Sequence, residues 1–409
     1  MKYDFDSIRK TCIYNSAITN DLVDTNLIYY AADREKFDKE FSQKLKKYKH
    51  ITDDWPDSYI NFTISQLIAN RIFKENGLIH KYIHHAYIKS LSAEHQNFLQ
   101  LQQKTPWRYT FSTIINSPSH EYFEMEDVFT EENYLLYSPA INTMLKEGVP
   151  NMWLLLIGNN GECWQSYGMN IPLHNVTVDD IFYFSTELNT NIEDDEDIIN
   201  DLNSNPIPYL MMIDLGVSPK LFHKNHQLAY WSSSNGPLDT KFDTTKLRDK
   251  FFIAWNNHVF ELKLKRYHSF PHFAVAYYDE HRQNIFRYAL TEAGFIKLTE
   301  ALIKAGFPLI KEADVHISMA MHQLLESILQ REVVMNPYEH LFETEADKLD
   351  KGEEDADEIF VLRKFMDIAV SKFNNNEYVD VDAIARQVGA DVDFAKRIWN
   401  NFKDKMDSL

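Results

Sequence analysis

The chain has 409 residues, 44% of them hydrophobic and 14% aromatic, which is ample for two or three packed cores and too apolar for a mainly disordered chain. Its formal net charge of −19 opposes nucleic-acid or anionic-membrane binding by the molecule as a whole, because phosphates require a basic face. Two cysteines, Cys12 and Cys163, are too few for a disulfide framework or a thiolate zinc site. They read as buried free thiols, with a single bridge as the other option.

The first residues carry no basic-then-apolar leader pattern. Apolar runs such as Met152–Ile157 are far shorter than the roughly 18 residues of a membrane span. The expectation is a cytoplasmic protein with no membrane partner.

Residues 1–105 read as a helical region. Phe37, Phe41, Leu45 and Tyr48 form a stripe at helical spacing over 33–50. A second helix starts after Pro56, with Ile60, Ile64, Leu67 and Ile72 inward, and Gly77 ends it. A third is predicted over 78–91 and a fourth over 92–104. Pro106 closes the region.

Residues 106–190 read as an antiparallel β-rich region. Trp107–Ile115, Tyr122–Phe129 and Tyr134–Ser138 are rich in aromatic and β-branched residues. Met152–Ile157 and Glu162–Tyr167 flank the turn Gly158-Asn159-Asn160-Gly161 as a hairpin. Ile181–Thr186 reads as one more strand. The dense aromatics here, from Trp107 to Phe184, are read as core, with a peptide groove as the alternative.

Residues 191–342 read as an antiparallel meander with covering helices. The acidic stretch around Glu193–Asp197 is an exposed helix or loop, and Pro208–Leu215 and Gln227–Ser232 are strands. Phe251–Trp255 and His258–Tyr267 form a hairpin about Asn256-Asn257, followed by strands at Phe273–Tyr278 and Ile285–Leu290. In the second strand His258, Phe260, Leu262 and Leu264 alternate with Val259, Glu261, Lys263 and Lys265, predicting one buried and one wet face. Thr291 suits the N-cap of a helix that Gly306 ends. The meander reads as a scaffold, with function expected on either side of it. A further helix is predicted over 318–331.

Residues 343–358 hold nine acidic residues against Lys348 and Lys351 and read as an acidic linker. Residues 359–409 form a predicted three-helix domain. Within it Val381–Ile398 is helix-turn-helix-like: Ala385 permits close helix contact, Gly389 an αL turn, and Asp391 can cap the second helix. The residues it would offer a partner are Asp391, Asp393, Lys396, Arg397 and Asn400. Two of these five are acids, and eight acids balance eight bases from Ile359 to Leu409, which argues against a DNA-reading helix.

Other candidate constellations carry less. His80 and His84 share a helical face, with His85 and His95 beyond, but no third ligand follows and no HExxH pattern exists. His223-x-x-His226 and His268-x-x-x-His272 lack carboxylate or thiol partners in sequence. There is no GxSxG elbow, phosphate loop, GxGxxG or EF-hand loop. No metal or other cofactor is expected. The sequence therefore predicts an α+β protein with a non-enzymatic interaction or regulatory role and another protein as partner. A DNA-binding regulator acting through 381–402, and an enzyme whose site assembles from distant residues, are the alternatives.

Overall fold

The computed structural model shows an α+β protein and describes residues 3–146, 148–216, 221–238, 243–342, 356–374 and 378–407. The chain divides into two compact units, Met1–Lys220 with His316–Ile328, and Leu221–Val315 with Leu329–Leu409. Most of the predicted acidic linker, residues 343–355, lies outside the described residues.

The first unit is built on a closed barrel of β1 (Arg108–Ser119), β2 (Tyr122–Asp127), β3 (Asn133–Tyr137), β4 (Met152–Asn159) and β5 (Trp164–Leu173), in the order β1-β2-β3-β5-β4. All neighbours are antiparallel except β3 and β5, which run parallel from Leu136↔Trp164 to Tyr137↔Gln165. The prediction of a purely antiparallel region fails at this pair, because the helix Pro139–Met144 turns the chain across the barrel before β4. That helix inserts Ile141 into an interior formed by Phe123, Met125, Tyr134, Leu136, Trp153, Leu155 and Ile157. This is a five-stranded Greek-key barrel, the architecture class of the OB-fold. Architecture alone assigns no function.

Alternation along β2 and β3 sends Tyr122, Leu135 and Tyr137 outward. The helix Phe5–Ile18 covers them with Ile8 and Cys12, and Phe5 packs on Tyr122 with ring centres 5.0 Å apart. The face that barrels of this class use for oligonucleotides is therefore occupied by the chain's own N-terminal helix. Trp107, Tyr109, Tyr122, Phe123, Tyr134, Tyr137 and Trp153 are buried and belong to the core, whereas Trp164, Tyr167, Phe182 and Tyr183 are half-buried.

Local chemistry explains where the elements depart from prediction. The helix read over 33–50 breaks because Lys36 adopts φ 62°, separating Ile28–Glu35 from Phe37–Leu45. The helix read over 78–91 is two short pieces, Ile79–Tyr82 and Ala86–Lys89. The strand read over 181–186 is instead the helix Val178–Leu188. A capping box decides it: Thr177 accepts from the Asp180 N–H, and the Asp180 carboxylate accepts from the Thr177 N–H at 2.8 Å. Pro208–Leu215 is likewise not a strand but the helix Ile207–Leu210 running into a 3-10 turn. Its Tyr209, Leu210, Met211 and Met212 are consecutive and buried, a run that strand and buried helix share.

In the second unit β6 (Phe222–His223) and β7 (His226–Gln227) pair briefly. A larger antiparallel sheet joins β8 (Ala229–Asn235), β9 (Phe251–Asn256), β10 (Val259–Leu264), β11 (Val275–Asp279) and β12 (Asn284–Ala289) in the order β8-β12-β11-β10-β9. The meander is as predicted, down to the Asn257 turn residue at φ 54°. Thr291 caps Glu292–Lys304 by accepting from the Gly294 N–H at 3.0 Å. That helix lays Phe295, Leu298 and Leu302 on Leu262, Leu264, Ala276 and Tyr278.

The opposite sheet face is not wet. Val259, Val275 and Tyr277 pack there against Tyr338 and Phe342, and Glu261 is buried with them. A buried carboxylate needs partners. Tyr277 Oη donates to Glu261 at 3.3 Å, and Lys263 pairs with it at 3.0 Å.

A second polar cluster sits inside the same sheet. Arg287 is fully buried, yet four of its hydrogen bonds are made: Nη1 donates to Thr299 Oγ1 and Ile310 O, and Nη2 to Ser233 Oγ and Asn235 Oδ1. Burial pushes its pKa down to about 10, so the guanidinium stays charged at neutral pH. The helices Ala356–Asn374, Val381–Val388 and Val392–Asp407 gather round Phe365, Ala369, Ile384, Ala385, Ala395 and Trp399. Gly389, at φ 81°, ends the middle one.

Candidate functional site

The site lies where the sequence reading expected only scaffold, on the edge of the meander. β9 is the last strand of the sheet; among the described residues no strand pairs with its outer side. Its register with β10 runs from Val259↔Asn256 to Leu264↔Phe251, and beyond the strand ends the Lys265 N–H donates to Lys250 O at 2.9 Å. Hydrogen-bonded pairs alternate in an antiparallel ladder. Phe252, Ala254 and Asn256 therefore direct their backbone groups at β10, while Ile253 and Trp255 direct theirs outward.

The side chains at this edge are unusual for an exposed position. Phe252 is 51% and Trp255 64% exposed, and they fall on opposite faces of the strand. On one side Lys265 Nζ stands 5.4 Å from the centre of the Phe252 ring, and His268 packs edge-on to that ring at 5.0 Å. On the other, Trp255 stacks obliquely against Phe260, with ring centres 6.3 Å apart. Thr244, Arg248, Phe251 and Ile253 complete a groove of about 540 Å³ along the edge.

The electrostatics invert those of the whole chain. Between Lys246 and Arg266 six cations (Lys246, Arg248, Lys250, Lys263, Lys265 and Arg266) meet two acids, Asp249 and Glu261. One acid, Glu261, is already paired with Lys263. A chain of net charge −19 thus surrounds its exposed aromatic edge with positive charge. An edge strand usually carries charges to prevent pairing with other chains. Here the charges flank the edge and aromatics occupy it.

The residues singled out in the C-terminal helices offer less. Asp391, Lys396 and Asn400 are exposed, but Lys396 Nζ pairs with Asp382 at 2.7 Å. The side chains of Asp393 and Arg397 lie outside the described residues.

The histidines of the first unit do not converge. His80 bonds Gln103, His85 bonds Tyr30, and His95 pairs with Asp21. In the second unit the fold does bring His226 within 5.3 Å of His272, ring to ring. Burial lowers the pKa of His272 and of His223. Among the described residues no group of three or more His, Cys, Asp or Glu could hold a metal ion. Among them, too, no helix is long and apolar enough to cross a membrane.

Comparison of this chain with protein families, with curated proteins and with solved structures finds no match. The aromatic edge was legible in sequence only as the pair Phe252 and Trp255 in a strand; that β9 ends the sheet is a tertiary fact.

Proposed function

We propose that this chain is a non-enzymatic interaction protein, acting in the cytoplasm, that receives an extended acidic peptide segment on the edge of β9. One observation carries the reading: an edge of β9 that no strand pairs with among the described residues, whose exposed Phe252 and Trp255 are flanked by Arg248 and Lys265. Strand addition uses main-chain bonds for affinity and alternate side-chain pockets for specificity. The backbone groups of Ile253 and Trp255 supply the first. The Phe252–Lys265 and Trp255–Phe260 surfaces, one on each side of the strand, supply the second. Covering a ring the size of Trp255 contributes about 2 kcal/mol, and the cations steer an anionic partner into place.

The test is titration of the full chain with a labelled peptide of alternating Glu and Val, with hydrogen exchange followed residue by residue. Expected is saturable binding that slows exchange at the Ile253 and Trp255 amides. Lys265→Glu and Arg248→Glu should each weaken it by about tenfold. Binding with no protection in β9, or binding untouched by both charge reversals, would discard the reading.

A DNA-binding role for Val392–Asp407 has less support. Lys396 is engaged by Asp382, and Asp391 is exposed at the end that would face phosphates.

A further inference from the structure

The first unit contains an arrangement the interaction site does not use. Cys12, on the helix Phe5–Ile18, and Cys163, just before β5, are both buried and free, yet their sulfurs lie 3.3 Å apart. They are 151 residues apart in sequence, so only the packing of the helix on the barrel unites them. Asn160 holds the turn that carries Cys163. Its Oδ1 accepts from the Glu162 and Cys163 N–H groups at 2.9 and 2.8 Å. Its Nδ2 then donates to Cys12 Sγ at 3.3 Å and Cys163 Sγ at 3.6 Å. One side chain thus sets the position of both sulfurs.

We propose that Cys12 and Cys163 are a reversible oxidation site, at which a peroxide joins the helix Phe5–Ile18 to the β4–β5 turn through a disulfide. A disulfide draws the sulfurs to about 2.05 Å, so the pair has little more than about 1 Å to close. The two thiols have unequal roles. Cys12 is the attacking sulfur: the hydrogen bond from Cys163, the Asn160 amide and the nearby Arg9 charge hold its pKa below the usual thiol value. Cys163 is held protonated by its bond to Cys12 and by burial.

The chemistry balances with hydrogen peroxide as the only co-reactant. The Cys12 thiolate attacks one peroxide oxygen, the O–O bond breaks, and hydroxide leaves, giving a sulfenic acid at Cys12. Cys163 passes its proton to that hydroxide as it attacks the Cys12 sulfur. The S–S bond forms, the S–O bond breaks, and the oxygen leaves as a second hydroxide, which takes up the proton that Cys12 had shed. Two thiols lose two electrons, and one peroxide becomes two waters.

A cleft opens on the far side of the residues that hold the pair. Its volume is about 130 Å³, and it is lined by Asn15, Ser16 and Gln165 among others. Gln165 Nε2 donates to Cys12 O at 3.2 Å, and its Oε1 accepts from Asn160 at 2.8 Å. The Gln165 side chain, which lines the cleft, thus bonds the same Asn160 amide that reaches both sulfurs.

The experiment exposes the reduced full chain to excess hydrogen peroxide, then alkylates it in denaturant and measures the intact mass. The expected product is a monomer lighter by two hydrogens that resists alkylation. Digestion should yield a Cys12–Cys163 cross-linked peptide, and dithiothreitol should restore both thiols. In C163S the same treatment should add oxygen at Cys12 and form no cross-link. The proposal is overturned if both cysteines stay alkylatable while glutathione in the same tube is oxidised. It is equally overturned if intermolecular dimers replace the internal bridge, or if C163S takes up no oxygen at Cys12.

Discussion

Lys265 Nζ stands 5.4 Å from the centre of the exposed Phe252 ring while donating to Arg248 O at 2.9 Å. The bond to the backbone fixes the ammonium over the ring, so cation and aromatic form one surface. A cation over an exposed ring is worth about 0.5–1 kcal/mol, too little to explain leaving a Phe half in water for stability alone. Phe252→Ala should therefore leave the denaturation midpoint nearly unchanged and weaken acidic-peptide binding several-fold. Calorimetric titration of the two proteins, with urea melts alongside, measures both.

On the first unit, Gly158 presses on Trp107: a Cβ there would lie 2.4 Å from the indole nitrogen. The indole cannot retreat, since its Nε1 donates to Gln102 at 2.7 Å and its ring stacks on Phe73 at 4.5 Å. Gly158→Ala should cost about 2 kcal/mol by overpacking, and a chemical denaturation curve at constant slope reads the loss.

The interior arginine provides the converse case. Arg287→Leu removes a charge that burial disfavours, but takes one donor each from Ser233, Asn235, Thr299 and the Ile310 carbonyl and leaves Asp314, which bonds Ser233 at 2.6 Å, without the nearby guanidinium charge. Four lost charge-assisted bonds outweigh the relief, so a net loss of about 3 kcal/mol is expected. An unchanged midpoint would show that these acceptors find other donors.

The pH dependence follows from His223 and His272, whose folded pKa values lie below the free value because burial disfavours the charged ring. Below about 6.5 the unfolded chain binds protons that the folded one refuses. Stability contributed by these two rings should thus be intact above that pH and decline as pH falls through it. Urea midpoints at pH 7.5 and 5.5 should differ, and the difference should shrink in His272→Gln.

Local chemistry in the chain was enough for much of the fold. The hairpin of Phe251–Leu264 and the Thr291 cap depend on neighbours a few residues away, and such signals are written in the sequence. Elsewhere one sequence pattern serves two structures. Ile181, Phe184 and the run Tyr209–Met212 suit a strand or a buried helix equally, and the Thr177 cap and tertiary burial decided between them.

The sequence by itself determined the α+β class, the meander and the overall acidity, because periodicity and charge are properties of the chain. Only the tertiary structure decided that β3 lies parallel to β5, that β9 ends its sheet, and that Cys12 meets Cys163. Each of those unites segments whose separation along the chain leaves no local trace, so the aromatic edge and the thiol pair became visible only once the chain had packed.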